Sequence, residues 1–232
     1  MEGRHHLDTE LRRPVGAGGA QVDFVVRTDV PRYQERLVKM GWQPEHQAGT
    51  FARRLDGATD IEDIFERFGR HIETMVRQSA RLEPIDWQQG LQVLAERAEN
   101  SPLRWWLYGG GALAVRGVGI EPGDLDVHVD DATLAGRLLA DHFVEPVTQM
   151  RGWVADNGGR AFAGVLVEWL AGARPSGLHP PHEQEDAAEG HLELISWHGH
   201  QIAVPLLELQ LAVAERRGLS ARAALIREAM RS

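Results

Sequence analysis

Two aspartates and three glycines form the chemistry-bearing pattern of this 232-residue chain. Residues 105–131 run Trp-Trp-Leu-Tyr-Gly-Gly-Gly-Ala-Leu-Ala-Val-Arg-Gly-Val-Gly-Ile-Glu-Pro-Gly-Asp-Leu-Asp-Val-His-Val-Asp-Asp. An apolar run ends in Gly109, Gly110 and Gly111, a short apolar helix follows, and a strand opens on Asp124-Leu125-Asp126. Side chains alternate faces along a strand, so Asp124 and Asp126 share a face and sit roughly 7 Å apart. At an effective dielectric of about 20 their mutual repulsion costs about 2 kcal/mol. A divalent cation turns that repulsion into attraction, and bare glycine amides can receive phosphate. The arrangement points to metal-assisted phosphate chemistry.

Three readings fit the glycine segment. The plainest is a tight strand-to-helix turn beside a strand whose aspartates are only solvated. A second is a dinucleotide fingerprint, since Gly109, Gly111 and Ala114 satisfy G-x-G-x-x-A and Asp130 follows about 20 residues on. Against it, Gly117, Gly119 and Pro122 cut the helix after about two turns, and the acids open the strand instead of closing it. The third is an apolar residue, Gly-Gly, a spacer, then Asp-apolar-Asp-apolar. Twelve residues separate Gly111 from Asp124, and Asp124-Leu125-Asp126-Val127 completes the pattern.

On these residues the segment resembles the nucleotidyltransferase superfamily of the DNA polymerase β-like fold. Within it the chain is similar to the small aminoglycoside and lincosamide adenylyltransferases. The match is most specific at Tyr108-Gly-Gly-Gly-Ala-Leu-Ala and Asp124-Leu-Asp, and extends more weakly over residues 85–232. The resemblance implies that Asp124, Asp126 and a third carboxylate bind metal, two Mg²⁺ ions in such sites, and act catalytically. It also implies that Gly109, Gly110 and Gly111 bind the triphosphate of ATP or another NTP. The third carboxylate is expected within an apolar run on a neighbouring strand, and Glu168 in Val-Leu-Val-Glu-Trp-Leu meets that description. A strand-end acid facing water is the plainer account of Glu168.

The chain departs from these relatives in three places. Glu121-Pro122-Gly123 stands where a basic or hydroxyl residue often precedes the first aspartate. The third carboxylate is Glu where Asp is more usual. The helix expected over 205–217 offers only Arg216 and Arg217 in place of a lysine. Arg116, Arg151 and Arg160 are the other candidates for gripping a triphosphate.

The elements that must position these residues follow from periodicity. Residues 1–20 end in Pro-Val-Gly-Ala-Gly-Gly-Ala and read as a flexible arm. Residues 21–82 read as a small α+β accessory module: a strand over 21–27, a helix from Pro31 to Gly41, an extended piece over 50–55, and a long amphipathic helix. That helix carries Ile61, Ile64, Phe65, Phe68, Ile72, Met75 and Val76, with Thr59 to Glu62 as a capping box. Residues 84–232 read as the nucleotidyltransferase domain, an α/β (α+β) core with a mixed sheet and C-terminal helices. Its expected elements are a helix over 86–100, strand 103–109, helix 110–117, strand 124–130, helix 132–141 and strands over 143–148, 151–156 and 161–170. A polar loop over 174–191, a hairpin at His198-Gly-His200 and two final helices complete it.

Composition narrows the function classes. The net charge is −9 and no cysteine is present, so thiolate zinc sites and disulfides are excluded. Binding a long nucleic acid by phosphate neutralisation is not expected. Lys39 is the sole lysine, which removes the Walker A loop. No apolar stretch suits a membrane span or signal core, and a cytoplasmic location is the default expectation. His128 shares a face with Asp126, where a strand histidine in the core is the plainer account. His179, His182, His191, His198 and His200 raise a zinc reading without helical spacing, and the acidic loop Glu183, Glu185, Asp186 and Glu189 raises attraction of a polycation. Trp105, Trp106, Trp153 and Trp169 read mainly as core, with Trp153 or Trp169 available to an acceptor pocket. The expected activity is metal-dependent transfer of NMP, AMP from ATP first, to a hydroxyl of a small molecule such as an aminoglycoside. A homodimer is compatible with it. The alternatives are a toxin–antitoxin type nucleotidyltransferase acting on tRNA or protein, and a nucleotide-binding protein with weakened catalysis.

Overall fold

The computed structural model describes residues 6–14, 21–58, 60–149, 155–172 and 190–231. Its N-terminal part is a four-stranded antiparallel sheet in the order β1-β2-β4-β3, built from β1 (Asp8–Arg12), β2 (Gln21–Arg27), β3 (Gln43–Pro44) and β4 (Thr50–Asp56). Helix α1 (Pro31–Lys39) links β2 to β3, and α2 (Ile61–Ser79) follows β4. Pro31 pre-sets the first turn of α1, and Gly41 at φ +88° ends the connection after it. The period-3.6 apolar stripe of α2 is buried as its spacing requires: Ile61, Ile64, Phe68, Ile72, Met75 and Val76 all face the core. Phe24 of β2 packs on Phe65 and Phe68 at 5.0 Å each, and Trp42 stacks on Phe68 at 5.4 Å.

Part of the expected arm is a strand. Asp8–Arg12 pairs antiparallel with β2, setting Thr9 opposite Val26 and Leu11 opposite Phe24. Strand β2 has five consecutive buried residues, and an uncovered edge beside so apolar a strand would invite pairing with another chain. Covering it with the preceding segment removes that hazard.

The second part is a five-stranded mixed sheet in the order β5-β6-β9-β8-β7. It comprises β5 (Trp105–Tyr108), β6 (Leu125–Val129), β7 (Phe143–Gln149), β8 (Asn157–Phe162) and β9 (Leu166–Ala171). Strands β6 and β9 are parallel, while the other neighbours are antiparallel. The fold is α+β. Helix α3 (Trp87–Glu99) starts at Asp86, whose carboxylate accepts from Gln89 N at 3.1 Å. Helix α4 (Gly109–Ala114) is the short helix after the glycines, and α5 (Ala132–Leu138) is capped by Asp131. The helix expected over 132–141 thus ends early, in a 3₁₀ turn at Ala140–His142.

The apolar run 161–170 is two strands, not one. β8 ends at Phe162, and the chain turns back at Gly164, which lies at φ +76°. A Cβ there would stand 2.5 Å from Gln89 Oε1, so glycine is required. Apolarity on both sides of the turn hides it from periodicity. The strand expected over 151–156 falls mainly outside the described residues, as do Thr59 of the expected capping box and the loop over 174–189.

The hairpin of β10 (Leu192–Trp197) and β11 (His200–Pro205) lies beside β5, and α6 (Leu207–Arg216) and α7 (Ser220–Ala229) close the chain. One hydrophobic core runs continuously from Phe24 and Phe68 to Val127 and Trp169, so the two sheets are packed against a shared interior. A smaller cluster of Leu113, Val118, Ala214, Ala223 and Ile226 joins α4 to the last two helices. Among the described residues no helix is long and apolar enough to cross a membrane.

Candidate active site

Strand register brings the polar residues into one row. Tyr108 of β5 stands opposite Asp126 of β6, Asp126 opposite Glu168 of β9, Glu168 opposite Arg160 of β8, and Arg160 opposite Glu145 of β7. Directly opposed residues on adjacent strands project from the same face, so the row crosses all five strands on one side of the sheet. The face looks into a cavity of about 770 Å³. Its lining includes Asp124, Asp126 and Glu168 from the mixed sheet, and Lys39, Trp42 and Arg53 from the N-terminal part. The N-terminal part therefore forms one wall of the space that the carboxylates face.

Asp126 and Glu168 are like charges in directly opposed positions, an arrangement that destabilises a sheet unless charge is compensated. Compensation for Glu168 comes from Arg160, whose Nε donates to Glu168 Oε2 at 2.5 Å. Burial holds the Glu168 carboxyl above the usual range, and the nearby Arg53 charge pulls it back. Glu168 is thus an inward-facing acid, only 20% exposed, and not a strand-end residue in water. Asp124 lies just before β6 as an exposed residue that lines a recess of the cavity. Thinned hydration in that recess and the neighbouring Glu168 charge both raise its carboxyl above the ordinary value. Arg81 and Arg222 act in the opposite sense.

The glycines have three separate duties. Gly109 takes φ +62°, and a Cβ there would stand 2.9 Å from Asp126 Oδ2. Only glycine allows the turn to lie against that carboxylate. Gly111 packs on Leu125 and Leu107 in the core. Gly110 faces Pro122 at ordinary distance, with room for a methyl group. The glycine turn abuts Asp126 but does not line the large cavity. It opens on a narrow cleft with Gln210 and Arg222, and Gln210 Nε2 donates to the Gly109 carbonyl at 3.3 Å.

The dinucleotide reading fails on topology. β5 and β6 are adjacent and antiparallel, whereas that fingerprint needs a parallel βαβ crossover. Among the described residues no group of three or more His, Cys, Asp or Glu side chains is gathered as a ready metal cage. Asp124, Asp126 and Glu168 are neighbours, but Glu168 is turned to Arg160. The described histidines have other surroundings. His128 is buried between Trp106, stacked at 5.2 Å, and Tyr108 at 4.5 Å. His198 stacks on Trp197, and His200 meets Gln92. Trp169 is core, stacked on Phe143. His179, His182, Glu183, Glu185, Asp186, Glu189, Arg151 and Trp153 lie outside the described residues.

Arg116 is structural: its guanidinium ion-pairs with Glu193 at 2.5 Å and binds the Pro205 carbonyl, tying the end of α4 to the β10–β11 hairpin. Arg160 is at the site but committed to carboxylates. The cations that act on Asp124 are Arg81 and Arg222, neither of which stands out in the sequence. Arg81 sits at φ +55° just past α2 and donates to the Glu121 and Pro122 carbonyls at 3.1 and 3.4 Å. It thus holds the loop that delivers Asp124.

No protein-family model and no curated protein matches the chain. Among solved structures it is similar to a Thermotoga maritima chain described as a candidate nucleotidyltransferase. That likeness has a TM-score of 0.47 and 19% identity, over 63% of this chain and 93% of that one. A second likeness is to an antigenic nucleotidyltransferase-like protein from Paracoccidioides brasiliensis. It has a TM-score of 0.35 and 15% identity, over 55% of this chain and 64% of that one.

Proposed function

We propose that this chain is a nucleotidyltransferase that moves a nucleoside monophosphate, AMP from ATP in the first instance, to a hydroxyl of a small molecule. The observation that carries the reading is the juxtaposition of Asp124 and Asp126 with Glu168 at one cavity, with the Gly109 backbone against Asp126. The donor set suits Mg²⁺ in its chemistry: three hard carboxylate oxygen donors line one cavity. Asp124 and Asp126 are the residues that would hold it, and Glu168 would join as a ligand on leaving Arg160. A bound ion supplies charge neutralisation for phosphate oxygens during an in-line displacement.

The remaining roles belong to the chain. Arg222 and Arg81 offer positive charge beside Asp124, where a triphosphate would lie, and Gly109 borders the narrow cleft that Arg222 also lines. The acceptor oxygen would attack the α-phosphorus as the bond to the β-phosphate oxygen breaks and pyrophosphate departs. Glu168, once released from Arg160, would take the hydroxyl proton. The wall built by Trp42, Lys39 and Arg53 would receive the acceptor, and an aminoglycoside-type antibiotic is one candidate. Transfer of label from α-³²P-labelled NTPs to a panel of antibiotics, RNA and proteins tests the reading, with Asp126→Ala as control. Labelling that survives the substitution refutes the site.

One observation favours a second reading. The capture of Glu168 by Arg160 suits a nucleotide-binding protein with weakened catalysis. Binding of Mg²⁺-ATP without pyrophosphate release against any acceptor in that panel would select it.

A further inference from the structure

A chain of four charges, buried at Glu145 and half-buried at the other three, begins in the N-terminal module and ends on Glu168. Arg53 of β4 donates from Nη1 to both Glu145 oxygens, at 2.7 and 2.9 Å. Arg160 donates from Nη1 to Glu145 Oε2 at 2.7 Å and from Nε to Glu168 Oε2 at 2.5 Å. The side chains of Arg53, Glu145, Arg160 and Glu168 are 11, 8, 18 and 20% exposed. Arg53 is fixed further by the Trp42 ring at 5.0 Å and by the Met40 carbonyl, so it cannot retreat from Glu145.

Two arginines against two glutamates make the chain self-neutral, and its last member is the carboxylate opposed to Asp126. Charge placed on one link alters the hold on the next. Removing Arg53 leaves Arg160 shared by two glutamates, with a net negative charge beside Asp126. Removing the Glu145 charge leaves both arginines facing Glu168 alone. The sign of the effect alternates along the chain.

We propose that Arg160 is a positioning residue that competes with a divalent cation for Glu168, and that the N-terminal module sets the outcome through Arg53 and Glu145. The proposal rests on the reading of Asp124 and Asp126 as the metal-holding pair. It makes the accessory module part of the site's electrostatics and not only its wall.

The test is Mn²⁺ binding to the full chain without nucleotide, read from the electron paramagnetic resonance of unbound Mn²⁺. Arg160→Gln is expected to bind about tenfold tighter and Arg53→Gln at least about threefold tighter, whereas Glu145→Gln binds at least about threefold weaker. The Arg53→Gln/Glu145→Gln double variant returns near wild type. Thermal unfolding, recorded in parallel, carries the packing cost separately. A chain that only braces the fold would lower stability throughout without alternating the sign of the affinity change. Should an arginine variant not fold, the isosteric Glu145→Gln carries the test. Affinities within twofold of wild type in every folded variant, or a decrease in all of them, overturn the proposal. Failure of the wild type itself to bind Mn²⁺ is a different result, which removes the metal reading of Asp124 and Asp126 and this inference with it.

Discussion

Asp126 and Glu168 occupy directly opposed positions on adjacent parallel strands, 42 residues apart in sequence. Two carboxylates so placed are held together only by what surrounds them. Replacing Asp126 by Asn keeps the shape of the row and removes one hard ligand. Nucleotidyl transfer is expected to fall at least about 100-fold, with the circular dichroism spectrum unchanged. Retention of more than a tenth of wild-type transfer would exclude the assigned role.

Gly109 and Gly110 should respond oppositely to alanine. At Gly109 the positive φ and the 2.9 Å approach to Asp126 Oδ2 together predict a loss of about 1–3 kcal/mol. At Gly110 a methyl group fits, and helix propensity favours it by up to about 1 kcal/mol. Denaturant unfolding of the two variants checks the contrast, and equal losses would show that the turn is not held as described.

Asp124 gives a pH dependence with a definite sign. Its folded-state carboxyl titrates above the ordinary 3.8, so the protonated form favours the fold. That contribution is present in acid and is lost as pH rises through the folded value. Asp124→Asn, neutral at every pH, should therefore unfold at a higher temperature than wild type at pH 8 without divalent cation. The gap should narrow on acidification to pH 4. A gap that widens toward acid contradicts the assignment.

Arg222 and Arg116 separate ligand grip from scaffolding. Arg222→Gln is expected to raise the KM for NTP about tenfold with little change in unfolding temperature. Arg116→Gln, which takes a buried guanidinium away from the partly exposed Glu193 carboxylate and from the Pro205 carbonyl, should cost about 1 kcal/mol of stability and leave KM in place. Isothermal NTP titration and thermal unfolding of both proteins distinguish the two roles.

The sequence disclosed what was local. Asp124 and Asp126 read as opening one strand, but that strand begins at Leu125, so Asp124 belongs to the bend that leads into it. Glu168 was legible because an acid inside Val-Leu-Val-Glu-Trp-Leu must find compensation somewhere. Its partner was not, because the Arg160–Glu168 contact depends on β9 entering the sheet between β6 and β8, and short strands do not announce their order. Arg53 lies 92 residues from Glu145, and nothing in its local sequence marks it. Arg81 and Arg222 likewise acquire meaning only when the end of α2 and the start of α7 meet the loop before β6. The strand at Asp8–Arg12 was hidden by its length and by the glycines that follow it.

The order β6-β9-β8-β7 also bears on how the molecule is made. β8 and β9 are joined by a turn of three residues, Ala163 to Val165, and β7 pairs with β8, so these three strands can zip together through short loops. The β6–β9 pairing must instead close a loop of about 40 residues, the costlier and slower step. Loop closure therefore favours an order in which Asp126 and Glu168 meet late, after Arg160 is alongside Glu168 on the β8–β9 ribbon. The counter-charge belongs to the same hairpin as the carboxylate, so in that order two bare anions need not be brought together.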